Sequence, residues 1–127
     1  MREYGVPANR VIHGGGIPQR NPVLNRVYAN VLGMPVLIPE RSTTSLGAAI
    51  FAFLAVGAFP SVAAAQQALC PPFKVVDPDA KEHALYERLY ALYRPLYFAM
   101  GEREAPTAAI GGVLPELQSI ASQARSG

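Results

Sequence analysis

Arg10-Val11-Ile12-His13-Gly14-Gly15-Gly16-Ile17-Pro18-Gln19-Arg20-Asn21-Pro22 is the stretch whose reading decides the fold. It opens with a short apolar run of strand type, passes through three consecutive glycines and reaches Asn21-Pro22. There Asn suits a helix N-cap and Pro suits the first helical turn. A strand, a glycine loop and a helix start therefore follow one another. Glycine serves such a loop in two ways: a strand-to-helix turn needs backbone angles that side chains forbid, and a missing Cβ lets a ligand approach the main chain. The helix N-terminus beyond offers unpaired N–H groups and a partial positive charge, which suits an anion such as a nucleotide phosphate. A plain tight turn satisfies the same residues. Neither common phosphate fingerprint decides between the two, because Gln19 stands where G-x-G-x-x-G needs its last glycine and no Gly-Lys-Ser/Thr follows.

Downstream of the loop, Val23, Val27 and Val31 recur at helical spacing with Leu24, Tyr28 and Leu32, and Gly33 with Pro35 ends the pattern. Val36-Leu37-Ile38 reads as a short buried strand closed by Pro39. Thr43 or Thr44 is the expected cap of a helix through Leu46 to Leu54, whose first turn is kept thin by Gly47, Ala48 and Ala49 so that another element can pack close. The uncharged run Leu46 to Phe59 is 14 residues long, short of the ~18 to 20 that a membrane crossing needs. It reads as a buried core helix, and Ser61 caps a short Ala-rich helix to Leu69. Upstream, Arg2 to Pro7 reads as the last turn of a helix with Gly5 at its end, as though the chain opened within something larger.

Cys70 to Pro78 carries three prolines around Phe73-Lys74-Val75-Val76 and is expected to be an extended connector rather than a strand interior. Asp77 or Asp79 caps the next helix. On it Tyr86, Tyr90, Tyr93 and Tyr97 share a face, with Leu85, Leu89, Leu92 and Leu96 beside them. That stripe suits a core face with hydroxyls at its rim, and it also suits a sugar-stacking platform. Pro95 is expected to kink or thin the helix. Residues 1–101 thus form one body, Glu102 to Gly112 a linker, and Leu114, Leu117 and Ile120 a weakly docked closing helix within the 102–127 tail.

With 127 residues there is room for one domain. Half of the residues are hydrophobic and 16% are charged, which argues against a disordered chain. A formal charge of +2 without a basic run gives no footprint for nucleic acid. The lone Cys70 excludes an internal disulfide and a cysteine zinc cluster, and fits a reducing cytoplasm. Met1-Arg2-Glu3-Tyr4 is followed by turn residues instead of a signal-peptide core. None of the acidic residues ends an apolar strand beside the glycines, where a general base for a sugar hydroxyl belongs, and no carboxylate cluster for Mg²⁺ stands out. Asp77 and Asp79 read as turn and cap residues and His83 as solvated. His13 ends the strand beside the glycines, either touching a ligand or hydrogen-bonding the loop backbone.

From Val11 to Phe59 the chain resembles the C-terminal lobe of the FGGY family of carbohydrate kinases, most closely its ribulokinase branch. The residues that carry the likeness are Gly14-Gly15-Gly16-Ile17 with Asn21-Pro22, then Gly33-Met34-Pro35-Val36, then Ser45-Leu46-Gly47-Ala48-Ala49-Ile50-Phe51-Ala52. A looser similarity continues to about Gly101. The family usually has Gln where this chain has Asn25, and a complete kinase of this kind is several times longer. The resemblance implies an α/β fold, an incomplete actin-like (ribonuclease H-like) ATPase lobe of mainly helices with two or three short strands. It implies ATP and Mg²⁺ in a cleft between two lobes, with the catalytic aspartate and the metal ligands outside this chain. By the same resemblance Gly15 and Gly16 approach the adenosine and its first phosphate, Gly14 shapes the turn, and Arg20 and Asn21 come near the purine or cap the helix beneath it. The expected function is that of a cytoplasmic C-terminal nucleotide-binding fragment of an ATP-dependent kinase for a ketopentose such as ribulose, inactive alone. Its expected partners are ATP or ADP, the sugar only with the missing part, and other copies of itself through exposed apolar surface, without nucleic acid or membrane. The alternative is a non-catalytic nucleotide-binding or regulatory module.

Overall fold

Two parallel strands bracket the glycine stretch. In the computed structural model, which describes residues 5, 7–101 and 107–126, β1 (Val11–Ile12) pairs with β2 (Val36–Pro39), Val11 opposite Val36 and Ile12 opposite Leu37. Parallel strands need a crossover. It is supplied by α1 (Gly16–Arg20) and α2 (Pro22–Leu32). The His13 N–H donates to the Leu37 carbonyl at 2.9 Å, which carries the ladder one residue past β1.

Helix α2 begins where Asn21-Pro22 places it. The Asn21 Oδ1 accepts the Leu24 N–H at 3.0 Å, and Pro22 occupies the first turn. At the other end Gly33 adopts φ 61°, the left-handed conformation in which glycine ends helices. The preceding helix α1 was not expected. It starts directly at Gly16 and accommodates Pro18 in its first turn, where an N–H is not needed.

The core of this part is Ala29, Val36 and Ile38, with Val11 and Val76 packed against it. Helix α2 buries Asn25, Ala29 and Asn30, whereas Val23, Tyr28, Val31 and Leu32 are exposed. The apolar spacing therefore located the helix without identifying its inner face. A small residue faces the strand, and its size lets the helix approach β2.

One expectation is corrected here. Phe73–Val76 is a strand, β3, antiparallel to β2 with Val36 opposite Val76 and Pro39 opposite Phe73. Pro71, Pro72 and Pro78 flank the strand and none lies inside it, so no ladder donor is lost. The sheet order is β1-β2-β3. Between β2 and β3 lie α3 (Leu46–Ala55) and α4 (Val62–Leu69), which pack together and bury Ile50 and Ala65. Ser61 caps α4 through its Oγ, which accepts the Ala64 N–H at 3.2 Å. The cap position of α3 is Ser45 rather than Thr43 or Thr44, and no side chain bonds there. In its thin first turn a Cβ on Gly47 would meet nothing within 4 Å among the described residues. None of the described helices is long and apolar enough to cross a membrane.

The chain divides into two units, Met1–Asp79 and Ala80–Gly127. In the second, α5 (Ala80–Gly101) runs through Pro95, and α6 (Val113–Ser126) packs on it with Ile120 buried. Arg88 of α5 reaches Glu116 Oε1 at 2.7 Å and Gln123 Oε1 at 3.1 Å on α6. The tyrosine stripe is not the core face that its spacing suggested. Tyr90, Tyr93 and Tyr97 are 54%, 55% and 57% exposed, while Leu85, Leu89, Leu92 and Leu96 are half-buried. Tyr86 is half-buried with the leucine row, and Tyr90, Tyr93 and Tyr97 flank it. The expected helix end over Arg2 to Pro7, apart from Gly5 and Pro7, and residues 102–106 of the expected linker lie outside the described residues. The described residues are thus mostly helical with one small mixed sheet, an α/β arrangement.

Enlarging Ala29 tests how α2 is seated. Ala29→Leu should destabilise the chain by about 1–3 kcal/mol by overpacking, whereas Ala63→Leu on the exposed side of α4 should stay within ~0.5 kcal/mol of wild type. Denaturant unfolding of the two variants checks this, and equal effects would remove Ala29 as the contact that sets the helix.

Candidate functional site

The three glycines do three different things. A Cβ on Gly14 would stand 3.3 Å from Thr43 Oγ1, so this residue is small because the β2–α3 connection passes close to it. Gly15 sits at φ 103°, ψ 179°, a conformation that is essentially glycine's alone. Gly16 has neither constraint. Its backbone is helical, and among the described residues a Cβ there would meet nothing within 4 Å. The loop therefore turns at Gly15 and presents an open main chain at Gly16. No side chain caps α1, so its first N–H groups have no intrahelical partner, and Pro18 removes one of them.

The following helix is different. At the start of α2, Pro22 has no N–H, the Leu24 N–H is held by Asn21 and the Asn25 N–H bonds the Asn21 carbonyl at 3.3 Å. The open helix start is that of α1, one element earlier than the sequence placed it. Arg20 and Asn21 are exposed at the far end of α1, about 6 Å along the helix axis from Gly16. Asn21 spends its side-chain oxygen on the cap. The five residues singled out in the sequence thus lie on one short element and its two ends.

The elbow between α1 and α2 contains a residue whose structural part the sequence did not disclose. Asn25 is buried, 5% exposed, and its Nδ2 donates to the Pro18 carbonyl at 2.6 Å, while its Oδ1 is buried without a hydrogen-bond partner. The signal was present: Asn25 and Ala29 are four apart, which puts a polar side chain on the helix's inner row. Asn30, also buried, accepts the Asp79 N–H at 2.8 Å and ties the end of the first unit to α2. Beside the elbow a crevice of about 730 Å³ runs between α1–α2 and β2–β3, with Arg26 and Lys74 among its lining and Ile38 and Val76 as apolar wall.

His13 is half-buried at the end of the β1 ladder. Its ring packs on Tyr28 with centroids 4.6 Å apart, and its Nδ1 is buried without the backbone hydrogen bond expected of it. Asp79 directly precedes α5, and His83 lies in the first turns of that helix with a half-buried side chain. Among the described residues no three of His, Cys, Asp and Glu converge to hold a metal ion.

Residues 1–56 match the model of the FGGY family of carbohydrate kinases, C-terminal domain. The chain is 35% identical over 110 residues to ribulokinase 2 of Staphylococcus saprophyticus, covering 83% of this chain and 20% of that protein. It is 36% identical over 96 residues to the ribulokinase of Vibrio parahaemolyticus, covering 74% of this chain and 17% of that one. With the ribulokinase of Shouchella clausii the identity is 30% over 135 residues, covering 100% and 23%. The chain spans about a fifth of the length of the curated relatives it matches.

The division of roles among the glycines predicts opposite effects at adjacent positions. Gly15→Ala should destabilise the fold by about 1–3 kcal/mol through its backbone angles. Gly16→Ala, at the first helical position with open space beyond it, should be neutral or stabilising by up to ~1 kcal/mol. Thermal unfolding of both variants decides it, and equal destabilisation at the two sites would contradict the assignment.

Proposed function

The chain belongs, through residues 1–56, to the C-terminal domain of the FGGY family of carbohydrate kinases, and from that premise we propose that it is the nucleotide-contacting part of a ribulokinase-like enzyme. The reaction of the whole enzyme is then the transfer of a phosphoryl group from ATP to a ketopentose such as ribulose, in the cytoplasm. In this reading the β1–α1–α2–β2 crossover belongs to an actin-like lobe, residues 1–101 are that lobe's share and residues 102–127 an added tail. The observation that carries the reading is the open main chain at Gly16, where glycine is required neither by φ nor by a neighbour among the described residues. A ligand that packs against that Cα supplies the reason.

Adenosine and its first phosphate lie against Gly15 and Gly16 in this proposal, Gly14 keeps the turn closed against Thr43, and Arg20 stands near the purine. Asn21 serves by capping α2. The described residues do not fit a Mg²⁺ site, because no three ligating side chains come together. No step of the transfer is therefore assigned to them, and the base that activates the sugar hydroxyl lies elsewhere in the enzyme. Positioning the nucleotide is what this chain contributes.

Calorimetric titration with ATP tests the proposal. The chain should bind ATP, and Gly16→Val should weaken binding about tenfold or more while leaving the melting temperature near wild type. Mixed with ATP and ribulose, the pure chain should release no ADP. Absence of ATP binding, or equal affinity in Gly16→Val, would sink the reading, and ribulose-dependent ADP release would overturn the assignment of catalysis to other parts of the enzyme.

The exposed apolar residues point to a second property. Val23, Val31 and Leu32 on α2, Phe51 on α3 and Val56 at its end are exposed among the described residues, and in the proposed lobe they face other parts of the kinase. By itself the chain should self-associate through them. Sedimentation over a range of concentrations checks this; a concentration-independent monomer that binds no hydrophobic dye is the contrary result.

A further inference from the structure

We infer that Asn25 is the positioning residue of the glycine loop: its buried amide fixes where α1, and with it the Gly15–Gly16 main chain, stands for a nucleotide. The inference rests on the nucleotide reading above, and it starts from a missing donor. In a continuous helix the carbonyl of residue 18 would accept the N–H of residue 22. Residue 22 is proline and has no N–H. The preceding pair is intact, since the Asn21 N–H reaches the Ile17 carbonyl at 2.9 Å. The Pro18 carbonyl is the first to lose its partner, and the Asn25 Nδ2 supplies one at 2.6 Å from a side chain only 5% exposed.

Little else holds α1. Five residues are too few for a helix to persist on its own propensity, where ~12–15 are marginal. Its N-terminal side has no side-chain cap. Gln19 contributes a longer contact from its Nε2 to the Pro39 carbonyl at 3.4 Å. Pro18 is itself buried, so the Asn25 bond sits where α1 meets the core and where a hydrogen bond is strongest.

The orientation of the amide is decided by the same contact. Turned over, it would set Oδ1 against the Pro18 carbonyl, two acceptors face to face. In the orientation found, Oδ1 is left buried and unpartnered. Such a group is unfavourable for stability. An asparagine held there in spite of this is understood through what its Nδ2 fixes, namely the angle at which α1 leaves Gly15. Because Gly16 is the first residue of α1, displacement of α1 carries the Gly16 main chain with it.

The test uses this chain with Asn25→Leu, which keeps the side chain's size and removes the donor, and Asn25→Gln, which keeps an amide. ATP affinity of the folded fraction is measured by calorimetry, and hydrogen exchange is followed at residues 16–21. Asn25→Leu should weaken ATP binding about tenfold or more and speed exchange in that segment, and Asn25→Gln should recover both. A merely structural role would lower the melting temperature and leave the affinity of the folded fraction unchanged. If Asn25→Leu does not fold, Asn25→Ser, too short to reach Pro18, takes its place with the same readouts. Unchanged affinity in the variant, or weakened affinity with unchanged exchange, overturns the inference while leaving the nucleotide reading standing. A wild-type chain that binds no ATP overturns both.

Discussion

Helix α2 reaches the sheet through Ala29, fully buried beside Val36 and Ile38, and the rest of the first unit is fitted around that contact. A larger side chain would hold the helix off the strand. With an alanine at the contact, the neighbouring inner positions lie so deep that their polar groups must find partners within the protein. They are asparagines, and each holds a different segment: Asn25 the carbonyl of Pro18 in α1, Asn30 the N–H of Asp79 at the end of the unit. Asn21, at the solvent end of the helix, holds α2's own first turn. One helix thereby fixes the element before it, its own start and the exit of the chain after β3.

Features set by a single local signal were legible in the sequence. Asn21-Pro22, Gly33 and Ser61 each act within one turn of themselves, so the bounds of α2 and the start of α4 could be read from the residues. Strand β2 was legible because three branched or large apolar residues precede a proline. What depended on the partner of an element was not legible. The prolines around Phe73-Lys74-Val75-Val76 suggested a connector, yet their placement outside the pairing residues left the strand free to complete the sheet. The tyrosines and leucines of α5 interleave at helical spacing, and periodicity alone cannot say which of two adjacent rows turns inward. Helix α1 was hidden by its own composition, since Gly16 and Pro18 among only five residues outweigh the helix-forming Gln19 and Arg20. Tertiary contact at Pro18 forms it.

The same distinction explains why the apolar spacing of α2 misjudged its inner face. Val23, Tyr28, Val31 and Leu32 are exposed, Tyr28 resting on the His13 ring, while the face against β2 is built from small and amide side chains. A helix with apolar residues on one side and a buried polar row on the other has two faces that avoid water for different reasons. In the kinase reading proposed above, the outer face is a surface against other parts of a longer enzyme. The short sheet fits that picture, because among the described residues β1 and β3 both present an unpaired edge in the order β1-β2-β3.

Three adjacent glycines are usually discussed as one flexible loop, and here flexibility is the property they do not share. At Gly14 the limit is space, because Thr43 stands where a Cβ would press. At Gly15 the limit is conformation, because φ 103° is barred to other residues. These two suffice to make the turn and to bring α1 against the core. They would do so equally well with alanine at position 16, which would favour the helix that begins there. The third glycine therefore has no explanation within the fold of the described residues. In the nucleotide reading proposed above, a ligand against the Gly16 main chain supplies one. The residue that the fold does not need is thus the one on which that proposed reading turns.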